Sequence, residues 1–584
     1  MKDAVKSMSK KSQNDKLVAK AFDLLEAGKL DQLKTFLKKF PASMRQQADE
    51  FELQIIANGD SPKKLNDAFD RYLDRYDNVR LSNLEIAARL KIDLGEYDKA
   101  LEVADRILTQ DPYNHTAINA IFVVYVNTKQ KHKAYETAKR MHQTWEELGK
   151  EEEFLVDAKL KVILTATQLS IYNEAVDFWT QVRDKRSAYP HLFASEHYAC
   201  ALRALSNLGR FEDAIKLLES LEPDIRKTEN VISAVPGIWY WAGNREKCYE
   251  AYEEMASSSA DPVETIWNRS LSRLGFGDIE EGLDDYEIRW KWDDFPSAKR
   301  VFASPLWMGE DLSGKRIVVW NEQGIGDQLL FLTLLPIVLS KNPEEVVVEV
   351  SKKIIPLVQR WYPEVTVQPD GIVDTIGHQN YERFDYNIPS GTLMQRYFQE
   401  HGRIPTCQRL MRVPETARGK LFPDEIAKKR VLIGVSWRSH LITDARIGNY
   451  MSVHSVIRLL EVLPDDIGLI CLQYSLRDDE RELLEQYENV YIPGHDFFEE
   501  VDLNALYAGC CDLVLTAGTV TLQLAGIYGV PVLTWLPDRD WVLLGQKHYP
   551  WFENVVVIRG ATDWSHTAML YALIEKLKVI LRIS

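Results

Sequence analysis

The chain has 584 residues, 45% of them hydrophobic, which is enough for several buried cores and, on length alone, roughly three to four domains. Lys and Arg number 71 against 87 Asp and Glu, a net charge of −16 that argues against general nucleic-acid binding while leaving room for a local basic groove. The composition excludes a disulfide scaffold, a collagen-like chain and global disorder.

Met1 to Lys20 is polar and lysine-rich and lacks the apolar stretch of a signal peptide. No run approaches the roughly 18 apolar residues that suggest a spanning helix, so no transmembrane segment and a cytoplasmic location are expected. The six cysteines include the adjacent pair Cys510 and Cys511 and show no ligand spacing with His. They read as reduced, buried thiols.

The first half reads as helical and repetitive. Leu84 to Pro112 has apolar positions three and four residues apart on either side of Gly95, the pattern of two helices that each bury one face. Tyr97, Ala100 and Leu101 open the second helix, and the small Ala100 permits close packing. Ala134 follows Ala100 by 34 residues. Gly209, Phe211 and Ala214 then reproduce Gly95, Tyr97 and Ala100, and Gly243 is followed by Gly277 after another 34 residues. This period is that of degenerate tetratricopeptide repeats, whose helical pairs must stack to cover their apolar faces. Residues 1–295 are assigned to this array. It would form either a partner-binding groove or a rigid spacer or dimerisation element of a homo-oligomer. His115, His132 and His197 are scattered and carry no metal pattern.

An aromatic, Pro- and Gly-rich stretch from Trp290 to Gly314 leads to a different regime. Strand-like runs at Arg316–Trp320, Val346–Val350, Val431–Ser436, Ile467–Leu472, Leu513–Thr516 and Val530–Trp535 alternate with helical segments such as Val453–Leu463 and Asp478–Tyr487. That alternation predicts parallel sheets with helices on both faces. Two Rossmann-like halves are assigned, 296–425 and 426–584. The expected architecture is α + α/β, with the ligand cleft between the halves at the strand C-terminal ends.

Four segments carry candidate chemistry. Gln323, Gly324, Gly326 and Asp327 follow the first strand, ahead of an apolar helix expected near Gln328. The glycines suit a tight turn and the helix start can face an anion. Asp327 is either a general base at the cleft or a helix cap. Ser436, Trp437 and Arg438 close a second strand, with Arg446 and Asn449 beyond. Arg438 has the planar fork for a phosphate or carboxylate, unless the segment is an ordinary surface loop. Gln473 and Tyr474 follow a third strand and could hold a base or sugar. Thr516, Gly518 and Thr519 precede a helix of small and apolar residues whose amides suit an anion. There is no Walker lysine. Lys547 and His548 lie further on, Lys547 as a candidate to neutralise a leaving diphosphate. Asp538, Arg539 and Asp540 spell a DxD-like triplet, but in a loop. No metal ligand set is assigned.

From Trp267 onward these motifs together resemble the bacterial tetratricopeptide-repeat glycosyltransferases with a heptosyltransferase-like region related to glycosyltransferase family 9. The resemblance rests on NEQGIGDQ, IGVSWRS, LICLQYS, TAGTVTLQLAGIYGVPV and LGQKHYPWF. It implies a GT-B fold and transfer from a nucleotide-sugar donor with inversion; the arrangement of the candidate residues itself requires no cofactor or metal. Asp327 would be the base. Ser436, Trp437, Arg438, Thr516, Gly518 and Thr519 would be the donor-phosphate site. The repeats would hold a protein acceptor, flagellin-like in some relatives, or a glycan. Related heptosyltransferases carry an Asp-Thr pair and a His where this chain has Gly518-Thr519 and Gln523, which speaks against an ADP-heptose donor. The alternative is a non-catalytic repeat scaffold with a degenerate GT-B region.

Overall fold

The computed structural model describes residues 2–58, 61–370, 384–440, 450–560 and 566–583. The chain forms two compact units, one of Met1–Leu169 with Asp177–Phe193 and the other of Ser170–Val176 with Ala194–Ser584.

The first unit is helical. In a typical pair, Leu81–Asp93 is followed by Tyr97–Gln110. Leu84, Ala87 and Ala88 of one helix and Ala100, Val103, Ala104 and Ile107 of the other are buried, as their spacing dictates. Gly95 ends the first helix at φ +74°, and Glu96 N donates to Lys91 O at 2.8 Å, satisfying an orphan carbonyl of the last turn. Lys129 makes the same turn without glycine, at φ 58°, and Gln130 N donates to Tyr125 O at 2.9 Å. Ser170 does so at φ 59°. The structural period therefore continues through positions where the glycine signal is missing.

The second unit begins with more helical pairs: Ser195–Asn207 with Phe211–Ser220, Val235–Ala242 with Arg245–Ser258, and Val263–Phe276 with Ile279–Tyr286. Two wholly parallel sheets follow. The first contains β1 (Arg316–Trp320), β2 (Glu345–Val350), β3 (Thr366–Pro369) and β4 (Tyr386–Pro389), in the order β3-β2-β1-β4. The second contains β5 (Val431–Ser436), β6 (Ile467–Cys471), β7 (Val490–Tyr491), β8 (Leu513–Ala517), β9 (Val532–Pro537) and β10 (Val555–Gly560), in the order β10-β9-β8-β5-β6-β7. The central strands are buried on both faces, which explains their unbroken Val, Ile and Leu runs. In the second sheet Ile433, Val435, Leu469 and Leu515 pack with Val456, Leu459, Met569, Leu573 and Leu577 of flanking helices.

This is the expected architecture: a helical array, then a GT-B-like pair of Rossmann folds. Strand order reverses between β1 and β4 in the first sheet and between β5 and β8 in the second. Open parallel sheets bind ligands beyond the strand C-termini at such switch points. No described helix is long and apolar enough to cross a membrane.

Candidate functional site

The loops at the two switch points line one cleft of about 700 Å3. Gln323, Gly324, Gly326 and Asp327 come from the turn after β1, Ser439 and His440 from the chain after β5, and Gly518 and Thr519 from the turn after β8. Tyr474, Gln523, Tyr549 and the segment Asp540–Val542 complete much of the wall, together with Lys353 and Phe498.

The helix after β1 spans Ile325–Leu332, so it starts three residues ahead of the expected Gln328. Asp327 is thus inside its first turn. Its Oδ2 accepts from Gly324 N at 3.2 Å. The carboxylate therefore caps its own helix and also lines the cleft. Gln323 holds a left-handed turn at φ 60°. Ahead of it, Glu322 is fully enclosed and meets Arg289, also fully enclosed, at 3.0 Å. Burial pushes the Glu322 carboxyl up to about 7 against the pull of that guanidinium.

The helix Val520–Ile527 starts across the cleft from Gly326, where a Cβ would sit 3.7 Å from Val520 N, an ordinary contact. Leu522 N donates to Thr519 O at 2.9 Å. The amides of Val520 and Thr521 stand ahead of it, where an α-helix supplies no carbonyl acceptor. Thr519 is largely buried, and its hydroxyl lies 3.5 Å from that of Thr516. Gln523, one turn along, is 8% exposed. Its Nε2 donates to Tyr549 Oη at 3.4 Å, and its Oε1 has no hydrogen-bond partner among the described residues. In the sequence Gln523 stood only as a departure from related enzymes; the fold makes it part of the wall. The signal was its place one turn after Thr519 on the same helix.

Several expected donor contacts lie elsewhere. Arg438 is buried, and its guanidinium is taken by Glu480, through Nε at 3.1 Å and Nη2 at 2.5 Å, and by Ser475 O at 3.1 Å. An arginine held this way is not presented to a phosphate. Trp437 points into the core of the second sheet and donates its indole N–H to Glu480 at 3.2 Å. The Gln473 amide is spent within the loop: its Oε1 accepts from Trp437 N at 3.0 Å and Arg438 N at 3.1 Å, and its Nε2 donates to Arg438 O at 2.9 Å. Ser436 is wholly buried with its hydroxyl 3.5 Å from the same Oε1. Thr516 is wholly buried and donates to Ala517 O at 3.0 Å. Lys547 is exposed and outside the cleft lining. These residues shape the loops; Tyr474, Gly518 and Thr519 reach the cavity. Arg446 and Asn449 lie outside the described residues.

Other basic side chains line the cleft, Lys353 and His440. Lys353 donates to Phe498 O and Glu499 Oε1, both at 2.9 Å, and sits 3.7 Å from the Phe498 ring centre. His440 Nδ1 lies 2.9 Å from Ser475 Oγ. In the DxD-like triplet, Asp538 pairs with Arg559 at 2.8 Å and Asp540 Oδ1 accepts from Val542 N at 3.1 Å. Among the described residues no group of three or more His, Cys, Asp or Glu is placed to hold a metal ion.

The chain therefore combines a tetratricopeptide-like helical region with a GT-B-like region of two Rossmann folds. No known family profile matches it. It is 25% identical over 323 residues to Protein FlbA of Caulobacter vibrioides (strain ATCC 19089 / CIP 103742 / CB 15), a match covering 52% of this chain and 53% of the relative. It thus spans about half the length of that curated relative. Among solved structures, the E. coli ADP-heptose lps heptosyltransferase II is 14% identical, with a TM-score of 0.33 over 45% of this chain and 99% of that one. The glycosyl transferase family 9 protein from Veillonella parvula DSM 2008 is 12% identical, with a TM-score of 0.32 over 46% and 100%. A tetratricopeptide repeat protein from Parabacteroides merdae ATCC 43184 is 18% identical, with a TM-score of 0.29 over 43% and 96%. Overlap this low leaves the chemistry to be read from the cleft itself.

Proposed function

We propose that the chain is a glycosyltransferase that moves a sugar from a nucleotide-sugar donor to a protein or glycan acceptor with inversion, the helical array holding the acceptor. The observation that carries this reading is that Asp327 and the helix start at Thr519 line the same cleft at the switch points of two parallel sheets. A carboxylate on one wall and helix-start amides on the other suit a reaction in which a proton leaves one side and an anion departs on the other.

In the proposed step Asp327 accepts the proton of an acceptor hydroxyl. The acceptor oxygen forms its bond to the anomeric carbon as the bond from that carbon to the diphosphate oxygen breaks. Amides of Val520 and Thr521, with the Thr519 hydroxyl, stabilise the departing nucleoside diphosphate. Arg438 and Lys547 have no place in this version, because of where their side chains lie. No step uses a metal, so turnover should persist in a chelator.

The test is a panel of UDP-, GDP-, ADP- and CMP-sugars offered with protein and glycan acceptors, products being read by mass spectrometry. Asp327→Asn should lower kcat by about 10^2- to 10^4-fold, the usual worth of a positioned base, while leaving affinity for the free nucleoside diphosphate intact. Undiminished turnover by that variant would refute the base assignment. Absence of turnover by the wild-type chain with every donor would favour the scaffold alternative.

A further inference from the structure

The candidate base is braced from the helical repeats. The last helix, Ile279–Tyr286, runs directly into a short 3-10 turn, Glu287–Lys291. Arg289 on that turn is fully buried. Its Nε donates to Glu322 Oε2 at 3.0 Å, its Nη1 to Glu287 Oε1 at 2.8 Å and to Tyr286 O at 3.1 Å, and its Nη2 to Thr392 Oγ1 at 2.9 Å. The guanidinium also lies 4.5 Å from the Tyr286 ring centre and 4.9 Å from that of Trp290. Glu322 is thereby fixed in position, and it immediately precedes the turn that leads to Asp327.

The turn is gripped a second time, one residue on. Gln323 is in the left-handed region, which residues other than glycine occupy less readily. Its side-chain Nε2 donates to Tyr286 Oη. Its backbone N donates to Ser297 Oγ at 2.6 Å. Tyr286, Arg289 and Ser297 all belong to the last helical pair or the segment just after it, not to the Rossmann fold that carries Asp327. A buried ion pair is a poor source of net stability, because desolvation of both charges offsets their attraction. What such a pair supplies is a fixed register for the backbone on either side.

We propose that Tyr286, Arg289 and Ser297 are positioning residues for catalysis: they clamp Glu322 and Gln323 and so set the direction from which Asp327 enters the cleft. This rests on the reading of Asp327 as the base. It gives the last helical pair a role in the reaction in addition to any role in holding an acceptor.

The experiment uses the full chain. Tyr286→Phe deletes the oxygen that Gln323 Nε2 reaches among the described residues, and Ser297→Ala deletes the acceptor of Gln323 N from another side. With a nucleotide sugar that the wild type turns over, each variant should lose about 10- to 100-fold in kcat, the scale of an ångström-sized misplacement. Affinity for the matching free nucleoside diphosphate, measured by calorimetry, should not change. Ser297→Thr, which keeps the hydroxyl, should restore the rate. Amide hydrogen exchange across 321–328 should quicken in Tyr286→Phe and Ser297→Ala while the sheet strands keep their protection. Wild-type kcat together with wild-type exchange in both variants would overturn the proposal. A wild-type chain inactive on every donor would instead refute the glycosyltransferase reading, and the exchange measurement would still decide whether the clamp exists. If Tyr286→Phe fails to fold, the Ser297 variants carry the same decision.

Discussion

Gly391 offers a sharp test of the packing beneath the candidate site. It lies in the turn Ser390–Thr392, just after β4, with no left-handed φ that would demand glycine. A Cβ there would fall inside the envelope of Glu322 Oε1 and 2.9 Å from Glu322 Cδ. A long flexible side chain would swing away. Glu322 cannot, because its other oxygen is bound to Arg289 in a fully enclosed pair. In the wild-type background Gly391→Ala should therefore destabilise by about 1–3 kcal/mol if the carboxylate shifts within its pocket. The loss rises to about 3–5 kcal/mol if the pair breaks. In an Arg289→Met/Glu322→Ala background the obstruction is gone. The nearest remaining neighbour is Phe331 Cε2 at 3.4 Å, an ordinary contact. There the same substitution should stabilise by about 0.4–1 kcal/mol, because alanine restricts the unfolded chain more than glycine does. Urea unfolding followed by tryptophan fluorescence gives both differences. A neutral Gly391→Ala in the wild type, or an equal loss in the two backgrounds, would refute the account of a clash with an immobilised carboxylate.

Two further outcomes are expected. Gln523→Leu removes an amide whose Oε1 has no partner among the described residues and whose Nε2 makes one long bond to Tyr549 Oη, so stability should fall by no more than about 1 kcal/mol. Affinity for the nucleotide sugar that turns over should fall by about three- to tenfold, the worth of one neutral hydrogen bond, while free nucleoside diphosphate binds as before. An equal loss for both ligands would place Gln523 at the nucleotide instead of the sugar. For Glu480, burial alone would raise the carboxyl, but hydrogen bonds from Arg438, Arg477 N and Trp437 outweigh it and hold the group below its ordinary 4.5. A depressed folded value means that this stabilisation is complete above about pH 4.5 and is lost as pH falls through the folded value. Arg438→Met should flatten that acid limb in urea titrations across pH. At neutral pH it should destabilise by about 1–3 kcal/mol, because Glu480 loses its bidentate partner but keeps Arg477 at 3.4 Å and the Trp437 indole. An unchanged acid limb would show that the pair does not govern it.

The parts of this structure legible in sequence are those set by local geometry. Alternating helical spacing around Gly95, Gly209, Gly243 and Gly277 marks the repeat turns, since each of these glycines adopts positive φ. Lys129 and Ser170 make the same turn with no such mark. The long buried strands were visible as apolar runs, whereas β3, partly exposed and ending in Pro369, and the short β4 gave too few residues to count. The strand–glycine–helix pattern located both cleft turns. Side-chain direction is another matter. Whether Arg438 reaches a ligand depends on Glu480, 42 residues away, and whether the Gln323 turn is rigid depends on Arg289, 33 residues before Glu322. Such partners meet only through the topology of the sheets, and no local spacing announces them.

The fate of those arginines also bears on how an acidic chain could handle an anionic donor. Arg289, which meets Glu322 just ahead of the turn to Asp327, and Arg438, directly after β5, are both closed off by glutamates inside the protein. The charged side chains among the described cleft-lining residues are Asp327, Lys353 and Asp540, with His440 beside them. On the proposed reading the burden of stabilising a diphosphate then falls on backbone amides at the start of Val520–Ile527 and on the Thr519 hydroxyl. Fixed amides need no counter-ion when the cleft is empty and no reorganisation when charge develops. Buried arginine–glutamate pairs complement them by holding the loops rigid. In this arrangement the conspicuous cations of the motifs serve geometry, and the anion is met by the peptide backbone.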